Sequence, residues 1–566
     1  MTITRTLPFL LACLAGHANS AVAGSDISWP LRPAADQPLA FATTLTVDYA
    51  ALETLRELPR VDISDFVLPD GTTTSAHLVR VDPFAPGAQI VVASAKGQTP
   101  LDLSDMLILS GTIDADPSAR VFVSFSAAGV HGMILADSGT SIISSGPLEK
   151  DLLPVIYSMN DLPKDAITWI DKPCGLDRLA GSRKPSVTTN DNAPADRAGP
   201  CRLADIAVET DSEYTANIFG GNTTASAAYA VTLLAADSEI YQRDVHTRLR
   251  VSFLRVWSDA NDPYTTTDNY DRIFEFQNYW NANMTHVQRH AAHVLAGVLG
   301  STGGVAYYPG LCQDDYDYGL SSYLSGFFPY PLVDHNGQNW DLMVTAHELG
   351  HNFGAPHTHD VGIDGCGLGD CSHATEGTIM SYCHGCSGGM TNIILSLHDV
   401  IINSHILPYL AGGAPCNTLD DGVEITGHPT NQNVEPGATA QFSVGAVTNG
   451  AAGYQWLRNG NALSNAGKYS GVNTATLTIT NCALAEAGNY SVVVSAAGCA
   501  SETSNAATLT VNCPGDFNGD GFINGNDYDA FAELFDIADP GADFNHDGFV
   551  NGNDYDLFAE HFDAGC

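Results

Sequence analysis

Basic residues are scarce in this sequence of 566 residues. It has 23 lysines and arginines against 64 aspartates and glutamates, which gives a formal net charge of −41. A chain with this balance repels phosphate backbones and anionic lipid surfaces, so nucleic acid and membrane headgroups are excluded as partners. After the N-terminal region, no stretch approaches the roughly 18 apolar residues that a spanning helix needs, so we expect no membrane span.

The N-terminal segment has the order of features that is typical of a secretory signal peptide. Arg5 precedes an apolar stretch from Leu7 to Ala15, and small residues follow at Ala21–Ala23. We therefore expect residues 1–23 to be removed and the mature protein to be secreted, either into the medium or to the cell surface. The 13 cysteines, 12 of which remain without Cys13, agree with an oxidising compartment.

Composition divides the rest of the chain into four regions, so the sequence predicts a multidomain protein. Residues 24–198 have short apolar runs broken by Gly, Asp and Ser, which indicates a β-rich unit that ends in a polar linker from Gly181 to Pro200. Residues 199–416 mix strand and helix patterns. Residues 424–512 alternate like a β-sandwich, and residues 513–566 contain a repeat at a 27-residue offset. In the second region the patterns predict strands over 202–209 and 251–257 and helices over 225–245 and 285–299.

The segment from His347 to His357 carries metal-ligand chemistry. His347 and His351 lie one turn apart on a predicted helix, so their rings project from one face, as two corners of a zinc tetrahedron require. Glu348 lies beside the first ligand, where it can act as a general base. Gly354 accepts the backbone conformation that ends a helix, and the reversal lets His357 supply a third ligand. The fourth position stays open, which predicts one catalytic Zn²⁺.

This motif, followed by Met380 within Gly377–Cys383, resembles the metzincin zinc metallopeptidases, and most closely the reprolysin (adamalysin-like, M12B) group. The resemblance spans about residues 200–416. It implies an α/β catalytic domain with a mixed five-stranded sheet, Met380 packed beneath the zinc, and an edge strand at Gly304–Tyr308 that pairs with a protein or peptide substrate. Tyr382 resembles the extra zinc ligand of astacin- and serralysin-type relatives. It either touches the metal or the transition state, or is a packed aromatic residue.

Residues 24–198 resemble the propeptide of the same group. Lys172-Pro173-Cys174-Gly175 resembles a cysteine switch, in which a thiolate fills the open zinc position until it is cleaved away. Arg183, Lys184 and Arg197 in the linker suit a processing protease. Seven cysteines lie in residues 199–416, so one is left over there. A disulfide between Cys174 and Cys201 would make the counts even and remove the switch, and both readings stay open.

Residues 424–512 resemble an immunoglobulin-like sandwich. Trp456 matches the core tryptophan, and Ala487–Tyr490 matches the tyrosine corner. Phe442 and Val492 stand where the cysteines between the sheets would be. Cys482 and Cys499 are expected to pair instead.

The C-terminal repeats have oxygen-bearing residues at the spacing of calcium loops. Two such loops, each followed by a helix, resemble a type I dockerin, which implies a small α-helical module, two Ca²⁺ ions and a cohesin-type or cell-surface partner. Cys513 and Cys566 bracket the module and are able to join its ends. The candidate ligands are Asp516, Asn518, Asp520, Phe522, Asn524 and Asp527 in the first loop, and Asp543, Asn545, Asp547, Phe549, Asn551 and Asp554 in the second, with the two phenylalanines acting through their carbonyls.

Three classes of function remain. The favoured one is a secreted zinc endopeptidase made as a zymogen, with Glu348 as its base. The second is a catalytically silent adhesion protein that acts through its sandwich and calcium loops, and the complete set of ligands counts against it. The third is a zinc hydrolase of another substrate, which the predicted edge strand and propeptide disfavour.

Overall fold

A computed structural model describes residues 28–38, 41–56, 58, 60–148, 152–163, 174, 201–297, 303–329, 341–416, 418, 423–448, 452–496 and 501–565. The expected signal peptide and the linker over 181–200 lie outside this part of the chain. None of the helices described combines the length and apolar character needed to cross a membrane.

The N-terminal unit, residues 28–163, is built on a nine-stranded antiparallel sheet in the order β1-β2-β11-β10-β9-β8-β7-β4-β3. Two of its strands, β5 and β6, leave this sheet. Its elements are β1 (Leu31–Pro38), β2 (Thr43–Val47), α1 (Tyr49–Arg56), β3 (Arg60–Val67), β4 (Thr73–Arg80), β5 (Phe84–Ser94), β6 (Gly97–Pro100), β7 (Leu107–Ile113), β8 (Asp116–Ser126), β9 (Gly129–Ala136), β10 (Gly139–Ser144) and β11 (Val155–Ser158).

Both faces of the central strands in this sheet are covered. In β8, Val121, Val123 and Phe125 pack with Trp29 into a core that belongs to the N-terminal unit alone. Phe122 points the other way, into a second core that is shared with residues 204–410. Because side chains alternate along a strand, the near-continuous apolar run in β8 is what burial on both faces requires.

The central unit, residues 201–416, holds five strands in a mixed sheet. Strands β12, β13, β14 and β16 are parallel, and β15 runs antiparallel at one edge. Hairpin β5–β6 of the N-terminal unit adds two more strands, so the complete order is β15-β16-β14-β12-β13-β5-β6. The elements of the unit are β12 (Arg202–Thr210), α2 (Thr223–Val245), β13 (Thr247–Trp257), α3 (Asn269–Asn283), β14 (Ala291–Leu295), β15 (Gly304–Ala306), β16 (Tyr318–Ser321), α4 (Asp341–Asn352), β17 (Gly377–Thr378), β18 (Ile393–Ile394) and α5 (Asp399–Ile401).

The predicted helix over 285–299 is wrong, because this stretch contains strand β14, Ala291–Leu295. All five residues are buried, and the strand lies between β12 and β16 in the middle of the sheet. A short apolar run that is buried on both faces has no alternation to distinguish it from a helix. Helix α2 and strands β12 and β13 do occur where the patterns predicted them.

Much of the chain after α4 is irregular, and disulfides fix it. The bonds Cys366–Cys383 and Cys371–Cys386 cross-link the segment that follows His357, and Cys312–Cys416 joins the end of the unit to its middle. Short π-helical segments cover Tyr214–Ile218, Ile402–Ile406 and Tyr409–Gly413, and short 3-10 helices cover His359–Val361, Cys366–Leu368, Ala374–Glu376, Cys383–Gly385 and Gly389–Asn392.

The sandwich, residues 423–511, packs its strands around Trp456 and Tyr490, which are both fully buried. The Tyr490 hydroxyl donates to the Glu486 carbonyl at 2.6 Å, which is the hydrogen bond of a tyrosine corner. Its strands are β19 (Val423–Gly427), β20 (Gln432–Val434), β21 (Ala440–Ser443), β22 (Gly445–Thr448), β23 (Ala452–Arg458), β24 (Asn461–Ala462), β25 (Tyr469–Ser470), β26 (Thr476–Ile479), β27 (Gly488–Ala496), β28 (Ser501–Thr503) and β29 (Ala507–Val511).

The expected disulfide between Cys482 and Cys499 is wrong. Cys482 keeps a buried free thiol beside the Ile479 carbonyl, while Cys499 lies outside the described residues. The apolar pocket in which Cys482 lies suits a thiol, since a free cysteine packs as a small hydrophobic residue.

The C-terminal module, residues 513–565, has two loops that are each followed by a helix, α6 (Gly525–Asp536) and α7 (Gly552–Ala564). The rings of Phe531 and Phe558 stack between the helices, and their centroids are 4.1 Å apart. Cys513 is in a disulfide, and its expected partner Cys566 lies outside the described residues.

Candidate metal centre and active site

Helix α4 positions the first two histidines of the motif. All twelve of its residues are buried, so tertiary packing rather than intrinsic propensity holds it in place. Asp341 begins the helix, and its carboxylate accepts hydrogen bonds from Ser325 N at 3.0 Å, Gly326 N at 2.8 Å and the Tyr229 hydroxyl at 3.1 Å. Burial raises the pKa of Asp341 to about 7. The start of the helix is therefore tied both to helix α2 and to the loop that follows β16.

Two glycines let other parts of the chain approach this helix. A Cβ atom at Gly350 would lie 2.6 Å from Met380 Sδ, so Met380 packs directly against the helix backbone between the two histidines. Gly354 has a φ of 87°, and Ala355 N donates to the Gly350 carbonyl at 2.8 Å where the helix ends. This reversal brings His357 back toward the histidines of α4.

Hydrogen bonds at Nδ1 orient all three rings. The Nδ1 of His347 donates to the Ile379 carbonyl at 2.7 Å, that of His351 donates to the Ala355 carbonyl at 2.7 Å, and that of His357 lies 3.2 Å from Asp360 Oδ2. Such partners fix the tautomer and leave a lone pair on each Nε2. The three lone pairs meet in one place, because the ligand atoms of the histidines and of Cys174 all lie within 4.8 Å of one another.

These donor atoms fit a tetrahedral zinc ion. His351 Nε2 and His357 Nε2 are 3.2 Å apart, close to the edge of about 3.3 Å that zinc–nitrogen bonds of about 2.0–2.1 Å would give. His347 Nε2 is buried with no hydrogen-bond partner, as expected of an atom that awaits a ligand. Burial lowers the pKa of His347 to about 4 and the pKa values of His351 and His357 well below their usual range. All three rings are therefore neutral at neutral pH, as metal binding requires.

Glu348 lies beside this cluster with its carboxylate buried. Oε2 is 3.4 Å from Cys174 Sγ, and Oε1 has no hydrogen-bond partner. Burial raises the pKa of Glu348 well above its ordinary value, which makes the carboxylate a better proton acceptor. Gly304 of edge strand β15 makes room for it, since a Cβ atom there would lie 2.4 Å from Oε1.

Cys174, which precedes the central unit in the chain, contributes its sulfur to the same cluster. Its Sγ lies 3.4 Å from His351 Nε2, and its backbone N–H donates to the Tyr382 hydroxyl at 2.9 Å. The Tyr382 hydroxyl is also 3.2 Å from His357 Nε2. Cys174 and Tyr382, whose roles the sequence did not decide, therefore both lie at the candidate metal site.

The alternative disulfide between Cys174 and Cys201 is wrong. Cys201 is disulfide-bonded, but Cys174 is not, and the Cys174 sulfur is a thiol among the histidines. A sulfur held as a thiol among the histidines cannot at the same time form a disulfide with Cys201. Two hypotheses were open for Cys174, a cysteine switch and a disulfide with Cys201. Only the switch places the sulfur at the candidate metal site, where the structure has it.

Two residues of the site were not predicted from the sequence. Asp360 orients His357, and its only signal is its position three residues after that ligand. Gly304 was assigned to an edge strand, but nothing in the sequence connects it to Glu348, which is 44 positions away. Contacts of this kind depend on the tertiary fold and not on local spacing.

The two C-terminal loops repeat each other closely. Gly521 and Gly548, at the sixth loop position, have φ values of 89° and 90°. Asn518 N and Asn545 N donate to the last carboxylates of their loops, Asp527 and Asp554, both at 3.1 Å. In the first loop, carboxylate oxygens of Asp516, Asp520 and Asp527 lie within 4.8 Å of one another. The phenylalanines at the seventh position are exposed, while their backbones lie in the loops.

Comparison with known proteins assigns two of these regions. The family model for metallo-peptidase family M12, of the reprolysin type, matches residues 201–393, and the model for the immunoglobulin domain matches residues 424–495. The chain therefore carries an M12 metallopeptidase domain followed by an immunoglobulin domain.

Individual relatives cover smaller parts of the chain. The zinc metalloproteinase-disintegrin-like proteins brevilysin H2a and H2b of Gloydius brevicauda are each 29% identical over 138 residues, which is 24% of this chain and 30% of theirs. The match thus spans under a third of these curated relatives. The three histidines of the cluster lie within the region that the M12 model matches.

Among solved structures, titin M4 is 28% identical over 17% of this chain and 100% of its own, with a TM-score of 0.16. The tandem Ig repeats of Dlar are 25% identical over 16% of this chain and 48% of theirs, with a TM-score of 0.15.

Proposed function

We propose that this protein is a secreted zinc endopeptidase, made as a zymogen, with zinc bound by His347, His351 and His357. The observation that carries the proposal is the convergence of three oriented Nε2 atoms beside the buried carboxylate of Glu348. A purely structural zinc site would need a fourth permanent protein ligand. Here the fourth donor is Cys174, which belongs to a segment that cleavage of the linker would release.

The residues of the site divide the work of peptide hydrolysis. A zinc ion held by the histidines would supply Lewis-acid chemistry, which lowers the pKa of a water toward 7. Glu348 accepts the proton from the attacking water and passes it to the leaving amine. Strand β15 lies at the edge of the sheet beside Glu348, where an extended peptide can add as a further strand.

Cys174 keeps the enzyme latent in this proposal. Its sulfur occupies the side of the cluster that substrate and water need. The Tyr382 hydroxyl holds its backbone by accepting a hydrogen bond from Cys174 N. When the segment leaves, the same hydroxyl is freed 3.2 Å from a zinc ligand. There it can donate a hydrogen bond to a developing oxyanion.

Glu348→Gln tests the proposed function, since it removes the base and keeps the shape of the side chain. We expect the secreted, processed variant to bind one zinc per chain, as the wild type does, and to lose at least a thousandfold in casein hydrolysis. Glu376→Gln is the control, because that carboxylate is 75% exposed.

Wild-type activity should be blocked by phenanthroline and restored by zinc. Retained activity in Glu348→Gln would refute the assigned base. A wild type that binds zinc and hydrolyses no protein would instead support the catalytically silent adhesion protein.

The C-terminal module is proposed to bind two Ca²⁺ ions and to dock to a cohesin-type or cell-surface partner. The support is the repeated loop geometry, with Gly521 and Gly548 in the left-handed conformation that such loops need at the sixth position.

Asp516→Asn removes one charge from the first ligand position and should weaken calcium binding at one of two sites by about tenfold or more. The control is Asp563→Asn, which changes the same charge at an exposed helix position. Isothermal titration with calcium would contradict the proposal if the wild type gave no heat.

A further inference from the structure

Helix α2 is enclosed by two different parts of the chain. Of its 23 residues, 20 are buried. One side faces the sheet and helix α4 of the central unit, and the other faces strands β8 and β9 of the N-terminal unit. A helix that is covered all round belongs inside a core. Without the N-terminal unit, one whole face of α2 would be exposed to water.

The second core described above fills this junction. Phe122, Met133, Leu135 and Ile142 of the N-terminal sheet belong to the same apolar cluster as Leu233 and its neighbours on α2. The four side chains of the sheet and Leu233 each have an exposed fraction of 2% or less. An interface of this kind resembles the interior of one domain and not a transient contact between two.

Polar groups at the same junction are paired across it. Arg120 of β8 makes an ion pair with Glu239 of α2 at 2.6 Å, and the Glu239 side chain is only 4% exposed. The hydroxyls of Ser124 and Thr232 are 2.9 Å apart and buried. Separation of the units would leave these partners without each other, which adds specificity to the apolar contact.

The peptidase sheet itself continues into the N-terminal unit. Strand β5 pairs in parallel with β13, from Gln89 against Phe253 to Ala93 against Trp257. Ser258 N extends the ladder by donating to the Ala93 carbonyl at 3.0 Å. If the hairpin left, β13 would become an uncovered edge in a sheet that otherwise ends in the short strand β15.

No disulfide makes this association permanent. Cys174 is the only cysteine between residues 24 and 200, and it is a thiol at the metal site. Release of Cys174 and release of the N-terminal unit are therefore physically separate events. The first breaks a few contacts at the histidines, while the second breaks a core and a β-sheet.

We propose that the α2 face and the β13 edge form a lasting interaction surface for residues 28–163 of the same chain. After cleavage between Cys174 and Cys201, the N-terminal unit stays bound as a noncovalent subunit, and only the Cys174 segment leaves the site. The mature enzyme is then a two-chain complex. The role of cleavage rests on the proposed function, but the association itself does not.

The test uses the full chain with Glu348→Gln, so that neither activity nor self-cleavage affects the result. A recognition site for a sequence-specific protease replaces residues 186–192, and the cleaved protein is passed over a sizing column at nanomolar concentration. We expect both fragments to elute together and to separate only in denaturant. Elution of a soluble, monomeric fragment beginning near residue 201 without its partner would overturn the proposal.

A charge reversal at the interface tests whether the surface on α2 holds the N-terminal unit. Arg120→Glu should speed dissociation of the cleaved complex by about tenfold or more, because it sets two carboxylates together at a mostly buried position. The double variant Arg120→Glu with Glu239→Arg should restore slow dissociation. The matched control is Arg32→Glu, whose ion pair with Asp48 lies within the N-terminal unit and is half exposed. Equal dissociation rates for Arg120→Glu and Arg32→Glu would contradict the assigned surface.

Discussion

The carboxylate of Glu348 has its position set by a residue that has no side chain. Glu348 Cγ, Cδ and Oε1 all come within 2.6 Å of where a Cβ atom of Gly304 would be. This contact joins the edge strand, where a substrate would lie, to the group that would act on it. Backbone packing thereby fixes the distance between this edge strand and the Glu348 carboxylate.

Gly304→Ala should therefore displace the base and leave the metal ligands in place. We expect kcat/KM for a peptide substrate to fall about a hundredfold, since a shift of about 1 Å in a catalytic group has a cost of this size. Zinc content per chain should stay that of the wild type. Gly412→Ala is the control, because a Cβ atom there meets nothing within 4 Å. An unchanged kcat/KM would show that Glu348 tolerates displacement.

Spacing alone was sufficient to predict that the three histidines lie together beside Glu348. His347, Glu348, His351 and His357 follow a local rule of helix geometry and reversal, so no tertiary information is needed to bring them together. Cys174 is different, because its approach to the cluster depends on how the whole N-terminal unit is placed. The cysteine count left two readings open, and only the three-dimensional position of the sulfur separated them.

At the scale of elements, the end of helix α4 decides where the third histidine lies. Gly354 has a φ of 87°, and a Cβ atom there would also lie 3.2 Å from the ring of Tyr409. That ring is fixed, since its hydroxyl donates to the Leu311 carbonyl at 2.6 Å. The turn is thus constrained both by its backbone conformation and by its neighbour.

Gly354→Ala should lower stability and zinc affinity together. The left-handed backbone costs an alanine about 1 kcal/mol, and the contact with Tyr409 adds to this. Gly362→Ala separates the two effects, because Gly362 has a φ of 75° and open space around its Cα. Urea unfolding and zinc titration should show a larger loss at position 354. Equal losses at both positions would mean that Tyr409 gives way.

Elements with a clear period or a motif were the most predictable. Helix α2 and strands β12 and β13 have enough length for their patterns to be read. The prediction failed at strand β14, because five residues that are buried on both faces of a sheet show no alternation of apolar and polar side chains. Hairpin β5–β6 was assigned with its neighbours in the chain, and no local feature shows that it pairs with a strand more than 150 residues later.

At the scale of the molecule, a histidine at the junction of two units links assembly to pH. His131 of β9 is fully buried between the rings of Tyr229 and Phe328, and it contacts the Ala128 carbonyl and the Ser144 hydroxyl. Burial lowers its pKa to about 4. No carboxylate is among these contacts, so the Ala128 carbonyl offsets only part of the cost of charging the ring.

The folded protein therefore binds the His131 proton less tightly than the unfolded chain, whose histidine has a pKa of about 6.5. His131 therefore does not affect the free energy of unfolding above about pH 6.5. As the pH falls from there toward about 4, the free energy of unfolding decreases by about 1.4 kcal/mol per pH unit. His131→Phe should flatten this part of the pH dependence of the free energy of unfolding. His373→Phe is the control, since the His373 side chain is 67% exposed. A slope unchanged by His131→Phe would contradict the prediction.

Hairpin β5–β6 also has a consequence for the order in which the protein is made. Residues 84–100 leave the ribosome long before β13 at 247–257, so strands β5 and β6 at one side of the sheet are synthesised ahead of its centre. The N-terminal unit has its own core and needs no disulfide, so it can fold before any oxidant acts on the later cysteines. It then presents a strand edge and an apolar face on which the rest of the sheet can assemble. The N-terminal unit can therefore be in place before the domain that carries the histidines is complete.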